Sequence, residues 1–214
     1  MIELTTQVND RRESERTQRL IAFSDGVFAV AITLLILSIQ PPQLKDVPGA
    51  KLFAQLLQQW PSWLSYIISF WIVGINWINH HELFRLIKHV DVTLLTLNLL
   101  ILLFTTILPV PTRLLAEYVL DPDGQRVADI FYGCTLVAVC IVYLVVWLHA
   151  ARASLLVEGL SPQAIRRGIL RRLIGILAGG AGVVIAFFNV PISIVIYVLV
   201  VLYYLVTSQS RRYV

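Results

Sequence analysis

The chain has 214 residues, of which 57% are hydrophobic and 14% charged, against about 25% charged in soluble domains. With a mean hydropathy of +0.77, this composition excludes a water-soluble globular protein and leaves no room for a soluble catalytic domain. The net charge of +4 does not point to nucleic acid, because the basic residues gather at the ends of apolar runs rather than on one soluble face.

Residues 1–19 are polar and include Arg11, Arg12, Glu13, Glu15, Arg16 and Arg19. This does not fit a signal peptide, so the stretch is expected to be retained as a cytoplasmic N-terminal segment. The first apolar run, residues 20–39, is interrupted by Ser24, Asp25 and Thr33 and stopped by Pro41 and Pro42; it forms helix one. Leu52, Phe53, Leu56, Leu57 and Trp60 then recur at helical spacing opposite Gln55, Gln58 and Gln59. That pattern belongs to a helix lying along the outer interface until Pro61 redirects the chain.

Helix two is expected over residues 62–86, with Trp60 and Trp63 at interfacial depth. Helix three spans 92–115, kinked near its end by Pro109 and Pro111, and helix four spans 127–150. Residues 173–207 carry no charge, and one straight helix of that length would measure about 52 Å against a hydrocarbon core of about 30 Å. The run must turn, and Asn189, Val190 and Pro191 supply the break between helix five, 162–188, and helix six, 192–208. The expectation is an all-α integral membrane protein of six transmembrane helices in one domain, 20–208, followed by a short cytoplasmic tail, 209–214.

Orientation follows from the basic residues. Thirteen, among them Arg19, Arg85, Lys88, Arg167, Arg171 and Arg172, fall on one side of these helices, and four, Lys45, Lys51, Arg113 and Arg126, on the other. The positive-inside rule then makes both termini cytoplasmic, as an even helix number also requires, in a multi-pass protein of the cell (inner) membrane. Asp121, Asp123 and Asp129 are assigned to the outer loop between helices three and four, as solvated carboxylates.

Asp25 is the first residue that needs explaining, since a charge inside a membrane helix costs several kcal/mol, roughly, without a partner or a watery surface. At about 100° per residue, Val30, Thr33 and Leu37 share one face of helix one, while Ser24 and Asp25 lie about 120 to 140° away. If the first face looks down a symmetry axis, Asp25 is tied sideways to neighbouring helices instead of forming a ring of carboxylates. Arg19 sits about 20° off that face, near the cytoplasmic mouth. In helix two, Asn76, Trp77, Asn79 and His80 form a polar band at the depth of Ser24 and Asp25, and Trp77 and His80 are expected to hold that network. A metal site from His80, His81 and Glu82 is disfavoured, because adjacent helical residues diverge by about 100° and no matching ligand cluster occurs elsewhere. Cys134 and Cys140 read as packing residues, and Gly175, Gly179, Gly180 and Gly182 as small residues for close helix contact.

The run Arg19-x-x-x-Phe23-Ser24-Asp25, continuing Gly26-Val27-Phe28-Ala29-Val30-Ala31-Ile32-Thr33-Leu34-Leu35, resembles the signature of the transmembrane protein 175 family of endolysosomal potassium channels and their smaller prokaryotic relatives. The resemblance implies a homotetramer surrounded by membrane lipid, with four first helices around a pore that passes potassium ions, and no cofactor. It also implies constriction positions at Val30, Thr33 and Leu37. Val30 is smaller than the Ile or Leu common at the first of these, so either Val30 or Leu37 forms the narrowest layer. No Thr-Val-Gly-Tyr-Gly segment occurs, so a carbonyl filter of that kind is not available. The competing function is a secondary or proton-coupled transporter using Asp25, Arg19 and His80 as a relay. An enzyme lacks a convincing nucleophile, base or metal set in this sequence.

Overall fold

A computed structural model describes the backbone of residues 2–39 and 49–209 and the side chains of residues 15–39 and 51–207. Pro41, Pro42, Lys45, Arg211 and Arg212, and the side chains of Arg11, Arg12 and Glu13, lie outside the described residues.

Every described element is helical. The order is α1 Ile2–Leu34, which tightens into a 3-10 turn Leu35–Ser38, then α2 Gly49–Gln58, α3 Trp60–Phe84, α4 Val92–Ile107, α5 Pro109–Glu117, α6 Pro122–Arg152, α7 Pro162–Ala186 and α8 Val190–Gln209. Proline opens α3, α5, α6 and α7 within the first two helical positions, where its missing N–H costs nothing and its fixed φ suits the helix. Side-chain caps finish other starts. The Asp91 carboxylate accepts the Leu94 N–H at 2.7 Å, Ser161 Oγ accepts from Ala164 N at 3.2 Å, and Asn189 Oδ1 accepts from Ile192 N at 3.1 Å, each relieving an orphan donor. The expected kink near Pro109 falls at Leu108, where the α4 hydrogen-bond ladder is interrupted because neither Pro109 nor Pro111 donates a backbone bond, while Leu108 keeps helical dihedrals and Val92–Glu117 remains one apolar span.

The helices pack as neighbours α6 on α7 and α4, α7 on α8, α3 on α5 and α8, and α1 on α3 and α4. Leu35, Val73, Leu94, Ile101, Leu108 and Val146 are fully buried at these crossings. A side chain at Gly175 would strike the Tyr204 ring and one at Gly182 the Tyr197 ring, so these two glycines set how closely α7 and α8 approach. Gly180 has open space beside it and takes no part in that contact.

The polarity of the bundle is reversed relative to a soluble protein. Ser24, His80, Asn98, Thr112, Asp129 and Ser193 are buried, while Leu64, Ile67, Trp71, Leu99, Leu177 and Leu199 face outward. Five segments, Glu15–Ser38, Val92–Glu117, Pro122–Arg152, Pro162–Ala186 and Val190–Thr207, are long and apolar enough to cross a bilayer. The chain is therefore a multi-pass membrane protein. The expected second span coincides with α3, 25 residues long, which is less apolar than the five because Trp, Tyr, Asn and His interrupt it.

Two loops at the basic end are stitched together. Ile87 and Leu156 form an antiparallel bridge, with Lys88 N donating to Leu155 O at 2.8 Å and Val157 N to Leu86 O at 3.0 Å. Lys88 Nζ reaches Glu158 at 2.8 Å, and His149 Nε2 meets Asp91 Oδ2 at 2.7 Å. Burial pushes the Asp91 carboxyl up, but the Leu94 N–H and the His149 ring outweigh it and hold it below the usual carboxylate range.

One assignment from sequence is corrected. Asp129 is not a solvated loop residue: α6 begins at Pro122, and Asp129 lies fully buried inside it, accepting the Ser193 hydroxyl of α8. A buried carboxylate needs such a donor, and the proline at the helix start, rather than the end of the acidic stretch, marks where the helix begins.

Candidate functional site

The two sides of α1 differ. Leu20, Ser24, Phe28, Ala31 and Leu35 recur every three or four residues and are all buried, the stripe that a helix must lay against a neighbour. Opposite them, Val30 is 55% and Leu37 67% exposed, with Thr33 and Phe23 exposed as well. Among the described residues no helix covers this side, since α1 contacts α3 and α4 through its other face.

The buried stripe is pinned by a polar network. Asn98 of α4 donates from Nδ2 to Ser24 Oγ at 3.0 Å, and its Oδ1 meets His80 Nε2 of α3 at 2.7 Å. Ser24 Oγ in turn donates to Leu20 O at 2.9 Å. One amide thus joins three helices, using both ends of its side chain. The Phe28 ring stands edge-on to His80, with centroids 5.3 Å apart, and Phe84 lies 4.4 Å from the same ring on another side. Apolar surroundings of this kind strengthen the bonds that His80 makes and penalise any it fails to make.

Beside this network, Trp77 Nε1 donates to Asp25 Oδ1 at 2.7 Å, a charge-assisted bond that holds the carboxylate against α3. Arg19 is exposed one turn and a half before Asp25. Of the sequence-selected residues, Ser24, Asp25, Trp77 and His80 meet where α1 packs on α3 and α4, while Val30, Thr33 and Leu37 share the uncovered face. His80 points inward to Asn98 and its neighbour His81 is exposed, so the two do not converge.

The polar band of α3 divides in two. Asn79 Oδ1 accepts from Arg171 Nη2 of α7 at 2.9 Å, and the Asn76 carbonyl accepts from Tyr143 Oη of α6 at 2.8 Å. Both face away from α1. Sequence reasoning missed Asn98, the hub of the network, although a lone amide inside the apolar run of α4 is itself the signal that a partner must exist. It also missed Phe28, whose contact with His80 depends on how α1 is rotated.

On the uncovered face, Thr33 Oγ1 donates to Val30 O at 2.8 Å. The hydroxyl hydrogen is thereby consumed inside the helix, and the oxygen lone pairs remain for an outside group.

The sequence profile of a family described as "Endosomal/lysosomal potassium channel TMEM175" matches residues 19–109, the stretch from Arg19 through α4. A potassium channel of Streptomyces collinus is 40% identical over 187 residues, covering 87% of this chain and 90% of the relative. The crystal structure of a lysosomal potassium-selective channel TMEM175 homolog from Chamaesiphon minutus matches with a TM-score of 0.81 at 34% identity, over 91% of this chain and 98% of that one. A human relative, named as the endosomal/lysosomal proton channel TMEM175, is 31% identical over 148 residues, 66% of this chain and 29% of the human one.

Proposed function

The chain belongs to the TMEM175 family of channel proteins, and on that premise we propose that it is one subunit of a homotetrameric potassium-selective channel in the cell (inner) membrane. Both termini are cytoplasmic and α3 makes the sixth crossing. Four copies of α1 surround the axis, and Val30, Thr33 and Leu37 line the passage.

The observation that carries this reading is the uncovered face of α1, with Val30 and Leu37 at 55% and 67% exposure on a helix whose reverse side is fully engaged. A helix held this firmly from behind presents its front at a defined position, as a narrow passage requires. The mechanism is an apolar neck that ions cross after shedding part of their hydration shell. Potassium loses water more readily than sodium, and the Thr33 oxygens, their hydrogens already donated to Val30 O, replace some of it. Such a neck can also close by dewetting. Asp25, turned aside by its bond to Trp77, adds no ring of charge to the passage.

A proton-coupled carrier using Asp25, Arg19 and His80 is the competing reading. Asp25 bonds Trp77, whereas His80 bonds Asn98, so the two groups lie on separate branches and form no continuous relay. Liposomes containing the purified chain distinguish the readings. Potassium flux should exceed sodium flux without saturation, and Val30→Asn and Leu37→Asn should each lower that ratio severalfold. Saturable flux with protons moving in fixed proportion, read by a pH-sensitive dye, would overturn the channel reading and extend to this chain the ion named for the human relative.

A further inference from the structure

Away from α1, helices α3, α6, α7 and α8 enclose a cavity of about 360 Å³, within the range of small-ligand sites. Its two ends differ chemically. At the mouth, where the basic loops meet, stand Arg85, Arg167, Arg171 and Arg172 against a single lining carboxylate, Glu82, which lies 3.8 Å from Arg85. Deeper in, Ile75, Leu136, Val139, Val200 and Val201 supply the wall.

The positive charges are of two kinds. Arg171 is fixed by Asn79 at 2.9 Å and lies over the Tyr204 ring at 5.2 Å. Arg172 donates to Gly168 O at 2.9 Å and sits 4.6 Å from the centre of the Trp147 ring. These two guanidinium groups hold a constant field at the cavity entrance. Arg85 and Arg167 are exposed at the rim and reach outward. Inside, two of the three lining tyrosine hydroxyls are spent, Tyr143 on Asn76 O at 2.8 Å and Tyr204 on Arg171 O at 3.1 Å, whereas the buried Tyr197 Oη has no partner among the described residues. Apart from that one neutral hydroxyl, the depth of the cavity is walled by aliphatic side chains and holds no second charged group.

We propose that this cavity binds an anionic phospholipid, its phosphate at the rim arginines Arg85 and Arg167 and an acyl chain along Val139 and Val200. A basic entrance on the side where arginines concentrate, continued by an apolar crevice between helices, matches a headgroup and tail in that order. A free anion would use the entrance and leave the apolar depth unoccupied. A neutral lipid would forgo the charge of the entrance.

Native mass spectrometry of the full chain, released from detergent with equal amounts of phosphatidylglycerol and phosphatidylcholine, tests this. Phosphatidylglycerol should be retained in preference, and the Arg85→Gln/Arg167→Gln variant should reduce its retention about thirtyfold, the effect expected for two basic groups near a headgroup. Val200→Phe, which fills the tail space, should also reduce it, with size-exclusion profiles of both variants unchanged. Excess inorganic phosphate should fail to displace the lipid. Equal retention of the two lipids, unchanged retention in either variant, or displacement by phosphate alone overturns the proposal. The readout is binding, so it stands or falls independently of ion conduction.

Discussion

On the side of α1 that carries Ser24, Phe28, Ala31 and Leu35, each residue is buried by the chain itself, and the polar one is hydrogen-bonded in both directions. On the side that carries Val30, Thr33 and Leu37, apolar side chains stand uncovered and the one hydroxyl bonds only its own helix. Both sides consist mostly of small or branched residues in one helix, so composition does not separate them. What separates them is whether the chain supplies the partner. The buried side answers to packing and hydrogen-bond satisfaction within one subunit, and the open side to whatever meets it from outside.

Substitutions should respect this division. The largest effect on folding is expected from Phe28→Ala, which removes the ring packed on His80 and should cost about 3 kcal/mol, read as a lowered unfolding temperature in detergent. Asn98→Leu comes next. It leaves the Ser24 and His80 partners without their shared amide and should cost about 2 kcal/mol. Little change in thermal stability for either variant would mean that the network does not hold α1. The smallest effect on folding is expected from Thr33→Val, within about 0.5 kcal/mol of the parent, although this variant should narrow the difference between potassium and sodium flux. If Thr33→Val unfolds the subunit while leaving flux selectivity intact, the division between the two sides of α1 fails.

Much of the helical layout is legible in the sequence because apolar runs and prolines are local signals. The turn at Asn189 to Pro191 and the kink near Pro109 follow from chain length and missing donors, and the structure ends one helix and starts the next at both places. Asp129 was misjudged because an acidic cluster suggests a loop, whereas Pro122 at the start of α6 and Ser193 on a distant helix decide its surroundings. The pairing of Asn79 with Arg171 was hidden for a related reason. It depends on the rotation of α7 against α3, which the local pattern of either helix does not specify. Asn98 shows the opposite case, a polar residue whose need for a partner is readable while the partner's identity is not.

The stitched loops at the basic end carry a mechanical consequence. Because the backbone of residues 86–88 is laced to that of 155–157, and Asp91 is clasped by His149, the loop joining α3 to α4 and the loop joining α6 to α7 form one shared collar. Prising them apart would break several backbone bonds at once. The collar thereby braces α3 and α4, the same two helices on which Asn98 and His80 anchor the back of α1.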